Sequence, residues 1–249
     1  MYIQIFTLGR FSLVKNGTPV SFARKARNQP ILLAKALISM GGRGVPKETI
    51  ADALWPDSEG DKALQNLATT LHRLRKLLGK AEVILLERGC LALNQDLCAV
   101  DVWQFERLCG NADRFWELGK REHAIETSRR AIDLFKGNFL EEDSQEPWTV
   151  VLRERIRSKY MRCVGKLGHY LEEADDLKMA VECYQRSLEI DGMDEEAYRR
   201  LMACYFRLGL KSEALSTYRR CKTVLSYGYG LRPSKETEVL KNCIMEAPL

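Results

Sequence analysis

The chain of 249 residues is 45% hydrophobic and 29% charged, long enough for two compact domains and too ordinary in composition for a disordered or fibrous protein. Its longest apolar runs, such as ILLAKALISM at 31–40, are too short and interrupted to cross a bilayer, and MYIQIFTLGRF lacks a signal-peptide pattern; the expectation is a cytoplasmic protein without membrane contact. The net charge of +5 is uneven, because residues 1–100 hold 14 Lys and Arg against 8 Asp and Glu, whereas the remaining 149 residues hold 25 against 26.

YIQIFTL, FSLV and VSF read as a short sheet, with Asn16-Gly17 as a hairpin turn between β-formers. Arg10, Lys15, Arg24, Lys25, Arg27, Lys35, Arg43 and Lys47 all precede the first acid, Glu48, so a polyanion could sit against this surface. Asn28 is placed to cap a helix over 29–40, Pro30 suits its first turn and Gly41-Gly42 stops it. Pro46 starts a second helix, PKETIADAL, which runs into Trp55-Pro56. Asp57, Ser58 or Asp61 then caps a third helix that ends at Gly79. VILLE and CLALN flank Arg88-Gly89, a β-hairpin with a cation at its tip.

The third helix carries the most information. In LQNLATTLHRLRKLLGK, residues 64–80, there is no acid, and Leu64, Leu67, Leu71, Leu74 and Leu78 form one apolar stripe. The opposite side collects Lys62, Gln65, Asn66, Thr69, Arg73, Lys76 and Lys80, with Thr70 and His72 nearer its edges. A solvated helix face normally interleaves both signs in i,i+4 pairs, which are absent here, so a polyanionic partner is favoured.

Sheet, three helices with a basic third, then hairpin is the order of a winged helix. LGRFSLVKNGTPV, KETIADALWPD, ALQNLATTLHRLRKLLG and VDVWQFERL resemble the OmpR-like DNA-binding domain of the Streptomyces antibiotic regulatory protein type, over residues 1 to about 108. The most specific elements are ALWPD, the L-x-x-L-x-R-L-R-K-x-L-G pattern and the aspartate followed by an aromatic at Asp101 to Phe105. Gly89-Cys90 departs from the Gly-Tyr that the family often has in its wing. Asn66, Thr69, Thr70 and Arg73 are then nearest to bases in the major groove of promoter DNA, where arginine can read guanine and asparagine adenine through paired bonds. Lys76 and Lys80, Arg88 on the wing, and Arg24, Lys25 and Arg27 ahead of the first helix are expected to hold phosphates. Residues 1 to about 108 are expected to bind duplex DNA alone.

The second part repeats. Ala180 and Ala214, Tyr184 and Tyr218, and Arg186 and Arg220 each stand 34 residues apart, the tetratricopeptide period. An earlier unit starts at Phe115, separated from the second by an insertion containing GNFLEEDSQEPW, and a last helix starts near Ser234. Helix pairs of this kind bury their apolar faces only by stacking. GNFL at 137–140, Trp148, LRERI at 152–156, DEEAYRRLM at 194–202 and GLRPSKET at 230–237 resemble the bacterial transcriptional activator domain of the same regulators. The fold class expected is mainly α with a small β part: a winged helix over 1–100 and an all-α, tetratricopeptide-like solenoid over 101–249.

What the resemblance implies is transcriptional activation on promoter DNA, with RNA polymerase as a partner, an unidentified protein or small-molecule input to the repeats, and a dimer on DNA as one arrangement. The rival reading is an interaction scaffold whose repeats bind a peptide and whose winged helix docks protein. No phosphate loop, G-x-S-x-G elbow or metal-ligand spacing is present, so no enzyme, catalytic residue, metal or cofactor is expected. The eight cysteines lack any C-x-x-C and fit buried thiols, and Trp55, Trp103 and Trp148 fit packing positions. Glu141-Glu142-Asp143 reads as a solvated turn, as do Glu172-Glu173 and Asp175-Asp176. With no receiver or nucleotide-binding segment in the chain, either the repeats are the input or the chain is part of a longer regulator.

Overall fold

In strand β1 (Ile3–Phe6), Ile3 and Ile5 point into a core and Gln4 out of it, the period-two pattern of a half-buried strand. The computed structural model to which it belongs describes residues 2–21 and 28–247. β1 pairs antiparallel with β2 (Ser12–Lys15), and Asn16-Gly17 returns the chain to β3 (Thr18–Pro19). Positive φ at both turn residues, 48° and 80°, is the type I′ geometry that matches strand twist.

Helix α1 (Gln29–Ser39) has Pro30 in its first turn, but the Asn28 side chain makes no capping hydrogen bond. Its stop at Gly41-Gly42 has a steric cause besides positive φ: a Cβ on Gly42 would lie 2.2 Å from Trp103 Cζ2. Pro46 lies in a short strand, β4 (Val45–Pro46), immediately before α2 (Lys47–Leu54). None of Asp57, Ser58 and Asp61 caps α3 (Gly60–Leu78): the N-cap is Glu59, without a side-chain bond, and Asp61 instead sits in the first turn, where its charge suits the helix dipole. Gly79, at φ 87°, closes the helix in the left-handed conformation. The hairpin of β5 (Ile84–Glu87) and β6 (Cys90–Leu93) turns at Arg88-Gly89, again with two positive φ values, 49° and 80°. β4 adds to the far side of β6, and β7 (Cys98–Val100) pairs parallel with β1, so the two sheets run β3-β2-β1-β7 and β4-β6-β5.

The rest is helical: α4 (Asp101–Glu117), α5 (Arg121–Leu134), α6 (Val150–Glu173), α7 (Leu177–Ile190), α8 (Glu195–Arg207), α9 (Lys211–Tyr229) and α10 (Lys235–Glu246). Two compact units result, one of residues 1–107 with 134–157, the other of 108–133 with 158–249. The first unit therefore contains the GNFL insertion, which the sequence reading assigned to the repeats.

Backbone pairing shows how. Gly9 N–H donates to Asn138 O at 3.0 Å and Leu140 N–H to Thr7 O at 2.9 Å, so GNFL lies along the end of β1. Arg153, from LRERI, donates to the carbonyls of Phe139 and Leu140 at 3.0 Å each and of Ser144 at 3.3 Å, adding a side-chain donor to acceptors of that loop. Asp143 is no solvated turn residue, since its carboxylate meets the ammonium of Lys35 at 2.6 Å with both side chains largely buried. Lys35 is thus withdrawn from the basic surface. Beside the same strand end, the buried Asp101 carboxylate accepts from Thr7 N–H at 2.8 Å, Thr7 Oγ1 at 2.6 Å, Leu8 N–H at 2.9 Å and Val102 N–H at 2.7 Å. Burial pushes its pKa up, against the pull of these donors.

The second unit is a stack of helix pairs. Ala124, Ala180 and Ala214 are fully buried at equivalent places, and Gly119, Asp175 and Gly209, with φ of 66°, 62° and 76°, turn one helix into the next. Tyr184 and Tyr218 are buried, their phenols donating to Glu172 at 2.9 Å and Glu238 at 2.5 Å. Burial and then Glu238 push the Tyr218 phenol up to about 12. The motifs DEEAYRRLM and GLRPSKET meet here: Glu195 accepts from Ser234 N–H at 2.7 Å and Thr237 Oγ1 at 2.5 Å, fastening α10 to α8.

Candidate nucleic-acid interface

A helix can present cations to a polyanion only if its other face is anchored. On α3 the buried residues are Ala63, Leu67, Thr70, Leu71, Leu74 and Leu78. The stripe is thus rotated slightly from the expected one, with Ala63 in place of Leu64. Thr70 is corrected by this: at 100° per residue it falls about 20° beyond Ala63, at the edge of the buried stripe, is 5% exposed, and cannot present its side chain to a base. Thr69, Arg73 and Lys76 are exposed together on α3, Asn66 is half-buried at the edge of the same face, and Lys80, expected on the helix, is exposed in extended backbone just past Gly79. Among the described residues, none of Arg73, Lys76, Lys80 and Arg88 pairs with an acid.

The hairpin is tied to this helix. Arg75, pointing away from the exposed face, donates from Nε at 3.1 Å and Nη2 at 2.6 Å to Ile84 O at the start of β5. Lys47 N–H donates to Gly89 O at 2.9 Å, fixing the turn against the start of α2. Arg88 therefore stands exposed on a held tip. Arg75 is a residue whose role the charge count hides; the helical wheel places it near Leu71, which was the available signal. Arg24, Lys25 and Arg27 lie outside the described residues.

Other chemistry is sparse. Among the described residues no three His, Cys, Asp or Glu side chains are grouped to hold a metal ion, and no helix is long and apolar enough to cross a membrane. The eight cysteines are free, six of them buried. Trp55 and Trp148 both line a cavity in the first unit and do more than fill a core.

The helical bundle with its motif-bonded terminus bears directly on kinship, because the bacterial transcriptional activator domain matches residues 100–245. The chain belongs to that family. It is 25% identical to Regulatory protein AfsR of Streptomyces griseus over 222 residues, 86% of this chain and 22% of that protein. Regulatory protein AfsR of Streptomyces coelicolor is 26% identical over 234 residues, 91% of this chain and 23% of that protein, so the chain spans under a quarter of the length of either. Regulatory protein DnrI of Streptomyces peucetius is 26% identical over 270 residues, 98% of this chain and 93% of that protein. These matches show the resemblance to the Streptomyces antibiotic regulatory protein type. A solved structure of Mycobacterium tuberculosis EmbR in complex with a low affinity phosphopeptide superposes with a TM-score of 0.72 at 19% identity, covering 99% of this chain and 66% of that one. At that identity the likeness is one of fold: a winged helix followed by a tetratricopeptide-like helical bundle.

Proposed function

We propose that this member of the bacterial transcriptional activator domain family is a DNA-binding transcriptional activator whose α3 enters the major groove of promoter DNA. The observation that carries the reading is the set of exposed cations on α3, just past its end and at the wing tip, Arg73, Lys76, Lys80 and Arg88, none paired with an acid among the described residues. A stable fold gains little from leaving four cations unpaired on one side, whereas duplex DNA offers a row of phosphates. In this reading Asn66, Thr69 and Arg73 face bases, and Lys76, Lys80 and Arg88 hold phosphates. The repeats, with their near-neutral charge, take the protein contact, with RNA polymerase as the partner.

The test is binding of the intact chain to genomic fragments at several salt concentrations. If about six phosphates are neutralised, the logarithm of the binding constant falls with a slope of about −5 against the logarithm of salt. A flat response, or no binding to any fragment, overturns the reading.

A further inference from the structure

Beside the start of α3, the α2–α3 connection and the segment at 146–148 enclose a cavity of about 630 Å³ within the first unit. That is the size of a small-molecule site. Among the described residues its wall is chemically one-sided: Asp52, Asp57 and Glu146 contribute carboxylates, and no lysine or arginine lines it. None of the three acids forms an ion pair among the described residues. Asp52 and Asp57 are exposed and Glu146 is half-buried, and like charges gathered around one cleft repel one another unless a cation joins them.

The remaining wall is apolar, led by the indoles of Trp55 and Trp148, which come from separate segments and suit a flat or cationic body between them. Two wall residues also hold a buried polar atom without a partner among the described residues, Gln29 Oε1 and Trp148 Nε1. Native proteins leave few such atoms unmatched, and those that remain call for an unseen partner. A carbonyl oxygen could receive an ammonium proton, and an indole N–H could donate to an acceptor on the same molecule.

We propose that this cavity binds a small organic cation, an amine carried on an aromatic or other apolar body. The ammonium is held by Asp57 and Glu146, with Asp52 adding to the field, and the body lies against Trp55 and Trp148. The site is independent of the DNA-facing side chains, and its test reads ligand binding alone.

Phenethylamine serves as the probe and 3-phenylpropionate, of similar size and opposite charge, as its control, each titrated into the intact chain by calorimetry and tryptophan emission. The amine is expected to saturate one site in the millimolar range and to change the emission, while the carboxylate does neither. Asp57→Asn and Glu146→Gln are each expected to weaken the amine about threefold, and the double variant about tenfold, as for part-exposed charge pairs. Circular dichroism and thermal unfolding confirm that the variants fold; Asp57 is exposed, so its variant keeps the test decisive even if Glu146→Gln loosens the loop. Absence of amine binding, equal binding of the carboxylate, or affinities unchanged in folded variants overturns the proposal.

Discussion

Arg73 on α3 and Lys80 just past its end share a charge, yet a base and a phosphate ask different things of them. Arg73→Ala is expected to cost about 1–3 kcal/mol on the preferred site and to relax discrimination at one base position. Lys80→Ala should weaken all sequences alike and lower the salt slope by about one, because a phosphate contact carries no sequence information. Competitive binding to the preferred site and to random duplex distinguishes the two, and equal effects would show that the reading face is misplaced. Thr70 tests the same face from behind: Thr70→Val, apolar and of the same shape, should leave DNA affinity unchanged, since the residue is buried. A different residue reports on acid. Burial works against the charge of Glu195, but the donors Thr237 Oγ1 and Ser234 N–H, with Arg199 nearby, hold its carboxyl below the ordinary value. A depressed folded pKa means that the ionised group stabilises α10 at neutral pH and that this contribution fades as pH falls below the unfolded value of about 4.3. Glu195→Gln should therefore lower the melting temperature at pH 7, and the gap from the parent should persist down to the unfolded value of about 4.3 and narrow only as pH falls further.

At the scale of elements, what was legible in the sequence was local. Asn16-Gly17 and Arg88-Gly89 announce two-residue hairpins because the turn itself demands positive φ, and Gly79 announces a helix end for the same reason. The exposed members of the α3 face follow from 3.6 residues per turn, Thr70 failing because a polar side chain at the edge of a stripe is read as outside it. What was not legible joins residues far apart in the chain. The parallel pairing of β1 with β7, and the antiparallel bridging of the Thr7–Gly9 backbone to GNFL, leave no periodic mark in any partner. The cavity was hidden likewise, because Trp55 and Trp148 look like core residues until their segments meet. This long-range element changes an expectation about truncation. A chain ending at residue 108 lacks Phe135, Phe139, Leu140, Leu152 and Ile156, all buried. At about 1.5–3 kcal/mol for each buried side chain, the loss is on the order of 10 kcal/mol, comparable with the whole stability of a typical domain. Residues 1–108 alone should therefore lack a cooperative unfolding transition by circular dichroism, contrary to the independence expected from sequence, and a sharp transition there would show the GNFL segment to be dispensable.

For the whole molecule, the chain passes from the first unit to the second at Arg107, returns at Leu134 and leaves again after Arg157. Cutting it at one point therefore cannot isolate either unit, and function has to be divided by substitutions that spoil one unit while the chain remains intact. Tyr218 suits this purpose, because it packs with Met202, Ala214 and Ile244 in a cluster of α8, α9 and α10, all within the second unit. Tyr218→Ala should destabilise that unit by about 2–4 kcal/mol, as large-to-small core changes do. Tyr218→Phe keeps the ring and loses only the bond to Glu238, at a cost of about 0.5–1.5 kcal/mol. If the solenoid carries activation and α3 carries DNA contact, the alanine variant should still occupy the promoter while reporter output falls, and the phenylalanine variant should retain most of both. Occupancy and output measured in the same cells, beside limited proteolysis of the purified variants, check this ordering. An alanine variant whose second unit is demonstrably opened yet activates like the parent would take activation away from the repeats.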